Sequence, residues 1–355
     1  MPAILANPQF LLASNLSCVW IKTQDDLGVF DDPTLSGYPV RVVGTPAFAV
    51  RGAGIIARTD VYTPFGGNQS SKTGGLGWDI TFTTEFFWNP AGTYDVTLGT
   101  KTQLAPLFLA SPWDIQAGGP TETLLKVQPQ FTASAPTRVL PHTVQPFSIV
   151  YEEAGGKRFS AYDCVCVPKI SWEYGQRIML EWTVKGKWMS VDDSTDQPPN
   201  YVDPATEAPI VGVNCNLTMP TLLDNVSALS KVTIETGWAI TDVADMRETH
   251  GFGLGFIALA ASPSLEVSVA DFNETVQPDW GYAEDNTISS ANLLELELTV
   301  GGVNFVWAWT NAQLLSFPTP ADENGYRSNG LKFIAVSDGG DTLVWTLPNA
   351  APPAP

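Results

Sequence analysis

Residues 147–188 read FSIVYEEAGGKRFSAYDCVCVPKISWEYGQRIMLEWTVKGKW. Two apolar, aromatic and β-branched runs, residues 147–152 and 159–167, are joined across Gly155-Gly156, which is the turn chemistry of a β-hairpin. In the run after them, residues 178–184, Leu180, Trp182 and Val184 alternate with Glu181 and Thr183, so one face of a strand is dry and the other wet. Short strands in series, joined by tight turns, predict an antiparallel sheet with one face on a core.

The same period extends upstream. Trp78, Ile80, Phe82 and Phe86 share one phase of a two-residue repeat, and Asp79, Thr81, Thr83 and Glu85 share the other. Residues 89–145 are dominated by Gly, Pro, Thr and Gln and read as a long excursion from the sheet, with a short helix expected at residues 121–126. Residues 1–37 are irregular and rich in Asp and Pro, with one hydrophobic stretch (residues 16–21) long enough for a single strand, and read as an N-terminal arm. Downstream, residues 192–209 read DDSTDQPPNYVDPATEAP, whose four prolines and polar composition neither pack a core nor sustain a ladder.

That stretch reads as a linker between a first domain (residues 38–191) and a second (residues 210–355, ending in a Pro/Ala tail). The second half repeats the order of the first: a strand pair, a polar tongue, an apolar run, a second strand and a Gly-Gly hairpin. Thr59-Asp60-Val61 recurs as Thr241-Asp242-Val243, and Gly155-Gly156 as Gly301-Gly302. A tandem duplication accounts for this order, and so do two unrelated β-sandwiches with similar hairpins.

Composition fits an all-β chain that folds throughout. Hydrophobic residues make up 44% and charged residues only 15% of the 355, and the twelve tryptophans are spread along the chain, so there is apolar surface enough to offset chain entropy. The formal charge of -19, with 18 basic residues against 37 acids, leaves no basic stripe for nucleic-acid binding and repels DNA. Residues 1–20 carry no basic leader, and the longest nearly apolar stretch, residues 253–261, is too short to span a bilayer, so neither a standard secretion signal nor membrane insertion is expected. Cys164 and Cys166 leave the same face of a strand, which opposes a bond between them, so the cysteines read as reduced thiols made in a cytoplasm.

Catalytic chemistry finds little material. The two histidines, His142 and His250, have no ligand-spaced partner, and no nucleophile-elbow, phosphate-loop or zinc-protease pattern occurs. No enzyme activity, metal or cofactor is expected. Acids abound, and two carboxylates suffice for a glycosidase, yet they follow another habit: Asp79, Glu85, Glu181, Glu266, Glu295 and Glu297 all lie on the wet phase of strands whose other phase is apolar. Trp78, Trp182, Trp307 and Trp309 lie on the dry phase and read as core. The acids make either an ordinary solvated face or a negative wall facing something it must not hold.

In order along the chain these pieces resemble the tail-tube proteins of long-tailed, siphovirus-like bacteriophages. Val19-Trp20-Ile21-Lys22 followed by Asp25-Asp26-Leu27-Gly28 and Asp31-Asp32-Pro33 is similar to that family's N-terminal strand, acidic stretch and turn, with Leu27 where an aromatic is usual. Thr63-Pro64-Phe65-Gly66-Gly67 is similar to its Pro-x-x-Gly tongue, with Thr63 in place of an Arg, and residues 147–188, with the turn Glu173-Tyr174-Gly175, resemble its hairpin block.

The resemblance implies tandem β-sandwich or barrel domains whose sheets join into a closed ring. Rings of six domains, here three chains of two, would stack into a tube for DNA. It implies lumen-lining roles for Asp79, Glu85, Glu181, Glu266, Glu295 and Glu297, with loss of charge at Glu295 and Glu297 slowing DNA. It implies inter-ring contacts from the tongues at residues 60–77 and 241–253, through Asp60, Pro64, Gly66, Gly67, Lys72, Asp242, Asp245, Arg247 and Glu248. Partners would be further copies and tail terminator, tape-measure and tail-tip proteins, in a virion assembled in the host bacterial cytoplasm. A glycan-binding adhesion sandwich, a capsid-decorating protein and, more remotely, a glycoside hydrolase are the other classes the composition allows.

Overall fold

The computed structural model describes residues 18–52, 55–56, 72–73, 76–90, 97–119, 121–127, 131–132, 135–138, 144–152, 157–193, 210–219, 223–226, 229–244, 252–258, 262–269, 293–315, 319–323, 326–336 and 341–349. Strand β1 (Cys18–Thr23) precedes helix α1 (Pro33–Ser36), β2 (Tyr38–Val40) and β3 (Val42–Gly52). The short β4 (Ile55–Ile56) and β5 (Lys72–Thr73) lead to β6 (Leu76–Glu85). Helix α2 (Ala105–Leu109) is followed by β7 (Asp114–Ala117), β8 (Glu122–Val127), β9 (Phe131–Thr132) and β10 (Ala135–Arg138). The hairpin block forms β11 (Phe147–Glu152), β12 (Lys157–Glu173) and β13 (Met179–Asp193). Then come β14 (Cys215–Met219), β15 (Leu223–Val226), β16 (Leu229–Glu235), β17 (Ile240–Ala244), β18 (Phe252–Ala258) and β19 (Ser264–Val269). The chain closes with β20 (Leu294–Val300), β21 (Val303–Trp309), β22 (Ala312–Leu314), β23 (Thr319–Glu323), β24 (Tyr326–Ala335) and β25 (Leu343–Pro348).

Two large antiparallel sheets carry the fold. The twelve-stranded sheet has a spine β3-β6-β13-β12. At 17 residues β12 outlasts any single partner on its far side, so β11 pairs its first part (Arg158–Cys164) and β16 its last (Lys169–Glu173). The sheet therefore forks, one branch running β11-β1-β2 and the other β16-β19-β24, with β22 and β23 on β24. The second sheet runs β15-β14-β20-β21-β25-β8-β7. The Gly301-Gly302 turn between β20 and β21 has φ of 60° and 81°, the left-handed pair that a two-residue hairpin demands and glycine supplies without strain.

The inner faces of the sheets meet in one core. Trp172 of β12 packs on Trp307 of β21 at 5.4 Å between ring centroids, and Phe86, just past β6, meets Trp345 of β25 at 5.0 Å and Phe305 at 6.1 Å. Trp78, Trp182, Trp307 and Trp309 are all buried, as their phase predicts. The fork also curls the larger sheet: Phe48 on β3 stacks on Tyr151 of β11 at 5.3 Å and, with Trp78, Phe159 and Trp188, fills the bend.

The architecture corrects the expectation of tandem sandwiches joined into a closed ring. The fold is all-β, but neither sheet closes into a barrel. No described ladder joins β3 to β11 across the curl or carries the second sheet past β15 and β7. Strands of the two halves share both sheets, through the β12–β16 ladder in one and the β8–β25 ladder in the other. The two Gly-Gly hairpins, β11–β12 and β20–β21, fall in different sheets. The physical reason is strand supply: among the described residues of 38–191, β7 and β8 are the strands given to the second sheet, and they need β25 beside them to make a layer.

Two local expectations also change. Where a helix was expected at residues 121–126, residues 122–127 form strand β8, with Thr123, Leu125 and Val127 inward, because β25 offers a ladder that a six-residue helix does not. Described residues within the excursion of residues 89–145 belong to the core: α2 buries Ala105, Leu107 and Phe108, and Phe108 meets Trp182 edge-on at 5.5 Å. His142 and His250 lie outside the described residues. Among the described residues no helix is long and apolar enough to cross a membrane.

Candidate functional site

The outward face of the larger sheet gathers most of the acids singled out by phase, and it interleaves them with lysines. Across β13, β12 and β16, Glu181 stands opposite Lys169, and Lys169 opposite Glu235, its ion-pair partner at 2.6 Å. On the next strands Glu266 stands opposite Lys332 and pairs with it at 2.6 Å. The hydrogen bond that it donates to Glu235 is the main reason the Lys169 ammonium is held above its ordinary value, with burial opposing and the charges of Glu235, Glu181 and Glu266 adding to the rise. The bond to Glu266 does the same for Lys332. Asp79 stands opposite Lys185. These half-exposed pairs contribute little stability individually, but they offset the acid charge of this face.

Glu85 departs from its neighbours. It is buried at the end of β6, where Arg177 pairs with it. Glu295 and Glu297 belong to the other sheet, half-buried on β20, facing Thr218 and Ala308, and Asn216 and Val306, with no lysine opposite. The structure thus brings Glu181 and Glu266 to one face around Lys169 and sets Glu295 and Glu297 apart. Of the tongue residues, Lys72 lies in β5 and Asp242 in β17, which pairs with β18. Asp60, Pro64, Gly66, Gly67, Asp245, Arg247 and Glu248 lie outside the described residues.

A second constellation was not anticipated. Lys187 falls on the outward phase of β13 with Glu181 and Lys185, yet it is only 3% exposed. Its Nζ lies 2.9 Å from Asp163 Oδ2, itself buried, and 5.8 Å from the centre of the Tyr162 ring. Asp163 sits in a bulge of β12 with φ of 49°, and its Oδ1 accepts from Gly28 N–H at 2.9 Å and Gln24 Nε2 at 3.2 Å. Its own N–H donates to Gln24 Oε1 at 2.6 Å. The loop after β1 is thereby latched onto the sheet. Nearby, Arg158 bridges Asp32, the N-cap of α1, and Glu152. Burial raises the Asp32 carboxyl, but hydrogen bonds from the Thr34 hydroxyl and amide and from Arg158 outweigh it and hold the group below its usual range. The one sequence cue to the latch was a charged residue, Asp163, breaking an otherwise apolar run.

The thiols of Cys164 and Cys166 are chemically quiet. Cys164 and Cys166 are free and fully buried; burial pushes Cys166 up to about 12, against a hydrogen bond with Ser111, and Cys164 well above its ordinary value, with Asp163 adding to the rise. Both remain protonated at neutral pH, so alkylation of the native protein, mapped by mass spectrometry, should leave them protected at least about a hundredfold relative to the urea-unfolded chain. Labelling at the unfolded rate would contradict this burial. Among the described residues no group of three or more His, Cys, Asp or Glu could hold a metal ion.

Fold and site together define a two-layer, all-β protein with a charged sheet face, open sheet edges and buried thiols. No family model matches the chain, and no curated protein matches it. Among solved structures, one chain of the virion of a native gene transfer agent particle is similar over 36% of this chain and 95% of its own, at 13% identity and a TM-score of 0.27. That likeness is too slight to define this chain's fold or role.

Proposed function

We propose that the chain is a structural subunit of a bacteriophage virion that assembles with copies of itself, and within that role a tail-tube subunit whose copies stack as rings around a conduit for DNA. The observation that carries this reading is the outer edge of β3. Among the described residues this 11-residue strand pairs with β6 alone, through Val42, Val43 and Ala47 to Gly52, and Val43 and Val50 are 43% and 55% exposed along it. A long apolar edge is a liability in a free monomer and is removed when a second copy covers it. The order of motifs in residues 19–33 and 147–188 supports the tail-tube assignment.

Among the acids, Glu295 and Glu297 are the stronger lumen candidates, since no lysine opposes them. Glu181 and Glu266, tied into the lysine ladder, suit a contact surface. DNA would pass without specific binding, and terminator, tape-measure and tail-tip proteins would cap and fill the tube. The subunits would assemble in the host cytoplasm and end in the virion. With both sheets shared between the halves, a trimeric ring is one stoichiometry to be read by native mass spectrometry, where a six-chain ring is the competing result.

Negative-stain microscopy of concentrated protein tests the reading. Wild type is expected to give rings or hollow filaments, and a Val43→Lys, Val50→Lys double variant to stay dispersed with an unchanged circular dichroism spectrum. A wild type that stays monomeric and binds sugars would favour an adhesion module instead. One that coats capsids without polymerising would favour a decorating protein.

A further inference from the structure

The turn at Asp25-Asp26-Leu27-Gly28-Val29 holds Leu27 at 77% and Val29 at 52% exposure. This is not a frayed end. Gly28 takes φ of 80°, and its N–H is bonded to the buried Asp163, which is ion-paired with the buried Lys187. Asp25 N–H closes the base of the turn on Asp31 Oδ2 at 3.1 Å. An apolar tip held rigidly in water is preorganised for contact, because little ordering cost remains to be met on binding.

A complementary surface exists elsewhere on the chain. Between the ends of β12, β14 and β16 lies a cavity of about 210 Å³ bordered by Trp172, Tyr174, Asn214, Leu229, Lys231 and Val232. It exceeds the roughly 150 Å³ apolar cavity that admits benzene, so a leucine side chain fits. Tyr174 stands 71% exposed at its border, and Lys231 is exposed, opposite Glu173 across the β12–β16 ladder. The tip carries the opposite charge in Asp25 and Asp26. Along β12 the tip's anchor at Asp163 lies nine residues from Trp172, roughly 30 Å in an extended strand, so a chain does not reach its own cavity.

We propose that the Leu27 tip of one copy seats in the Trp172–Leu229 cavity of another copy, with Asp25 and Asp26 facing Lys231. This rests on, and deepens, the self-assembly reading. Because tip and cavity are different surfaces, the contact is heterologous and repeats from copy to copy into a ring or filament.

Sedimentation velocity and native mass spectrometry over a concentration series test it with four variants at exposed positions. Leu27→Asp, Asp26→Lys and Lys231→Glu should each weaken association at least about tenfold, and the swap Asp26→Lys with Lys231→Glu should return to within about threefold of wild type. If wild type assembles and Leu27→Asp assembles equally well, the tip contact is wrong while self-assembly stands. If Leu27→Asp fails but Lys231→Glu does not, or the swap does not recover, the tip does not seat in this cavity. A wild type that is monomeric throughout overturns both readings.

Discussion

Replacing Lys187 by Met is expected to cost about 3–5 kcal/mol of stability in urea titration, because it strands a buried carboxylate without its cation. Lys187 and Asp163 side chains are each 4% exposed, so water does not substitute for the lost ammonium. Lys187→Met with Asp163→Asn is expected to recover most of that loss. Asn tolerates the left-handed φ of 49°, its amide oxygen still accepts from Gly28 and Gln24, and no charge is left buried. The double variant also separates the pair from the latch: hydrogen exchange at Gly28 N–H should accelerate in Lys187→Met and return towards wild type in the double. A single Lys187→Met loss below about 1 kcal/mol would show that the pair is not desolvated as described.

The contrast between this latch and the hairpin block shows what was readable in the sequence. Residues 147–184 announced their strands because alternation and a Gly-Gly turn are local signals, and β11, β12 and β13 pair with their neighbours in sequence. The buried tryptophans were readable for the same reason. Residues 122–127 were not, since Leu124 and Leu125 sit side by side and the deciding partner, β25, lies more than two hundred residues on. Closure failed as an expectation because it depends on how long strands divide their edges, and the fork at β12 has no signature in residue order. Phase alone assigned Glu85 to the wet face, and Lys187 shares the outward phase of β13, yet Arg177 covers one and the Asp163 latch the other. Phase also grouped Glu181 and Glu266 as acids without disclosing the lysines opposite them, which only the strand order supplies.

Trp345→Ala is expected to produce the largest loss from the apolar core, about 3–5 kcal/mol, by opening a cavity where the halves of the chain share a sheet. Trp345 is fully buried on β25, opposite Trp307 of β21 on one side and Leu125 of β8 on the other. Its ring stacks on Trp307 at 5.2 Å and meets Phe86 at 5.0 Å, Phe108 at 5.9 Å and Trp113 at 6.2 Å. Those partners come from three separate segments, so the void cannot close by moving one of them. Trp345→Phe isolates the apolar part of the effect. The indole N–H of Trp345 has no acceptor among the described residues, so its removal costs no hydrogen bond and the loss should stay on the order of 1–2 kcal/mol.

Trp88 is the control, since its Nε1–H donates to the carbonyl of Pro348 at 2.7 Å, and Trp88→Phe leaves that carbonyl without its donor. Trp88→Phe should therefore cost more than Trp345→Phe, although Trp345 touches more aromatic rings. The reverse order would mean that packing volume, and not the satisfaction of buried polar atoms, sets the hierarchy in this core. In Trp345→Ala, tryptophan fluorescence and far-ultraviolet circular dichroism should still fall in one transition, because β8 and β25 tie both halves into one sheet. Two separated transitions would show that the shared ladders do not couple them.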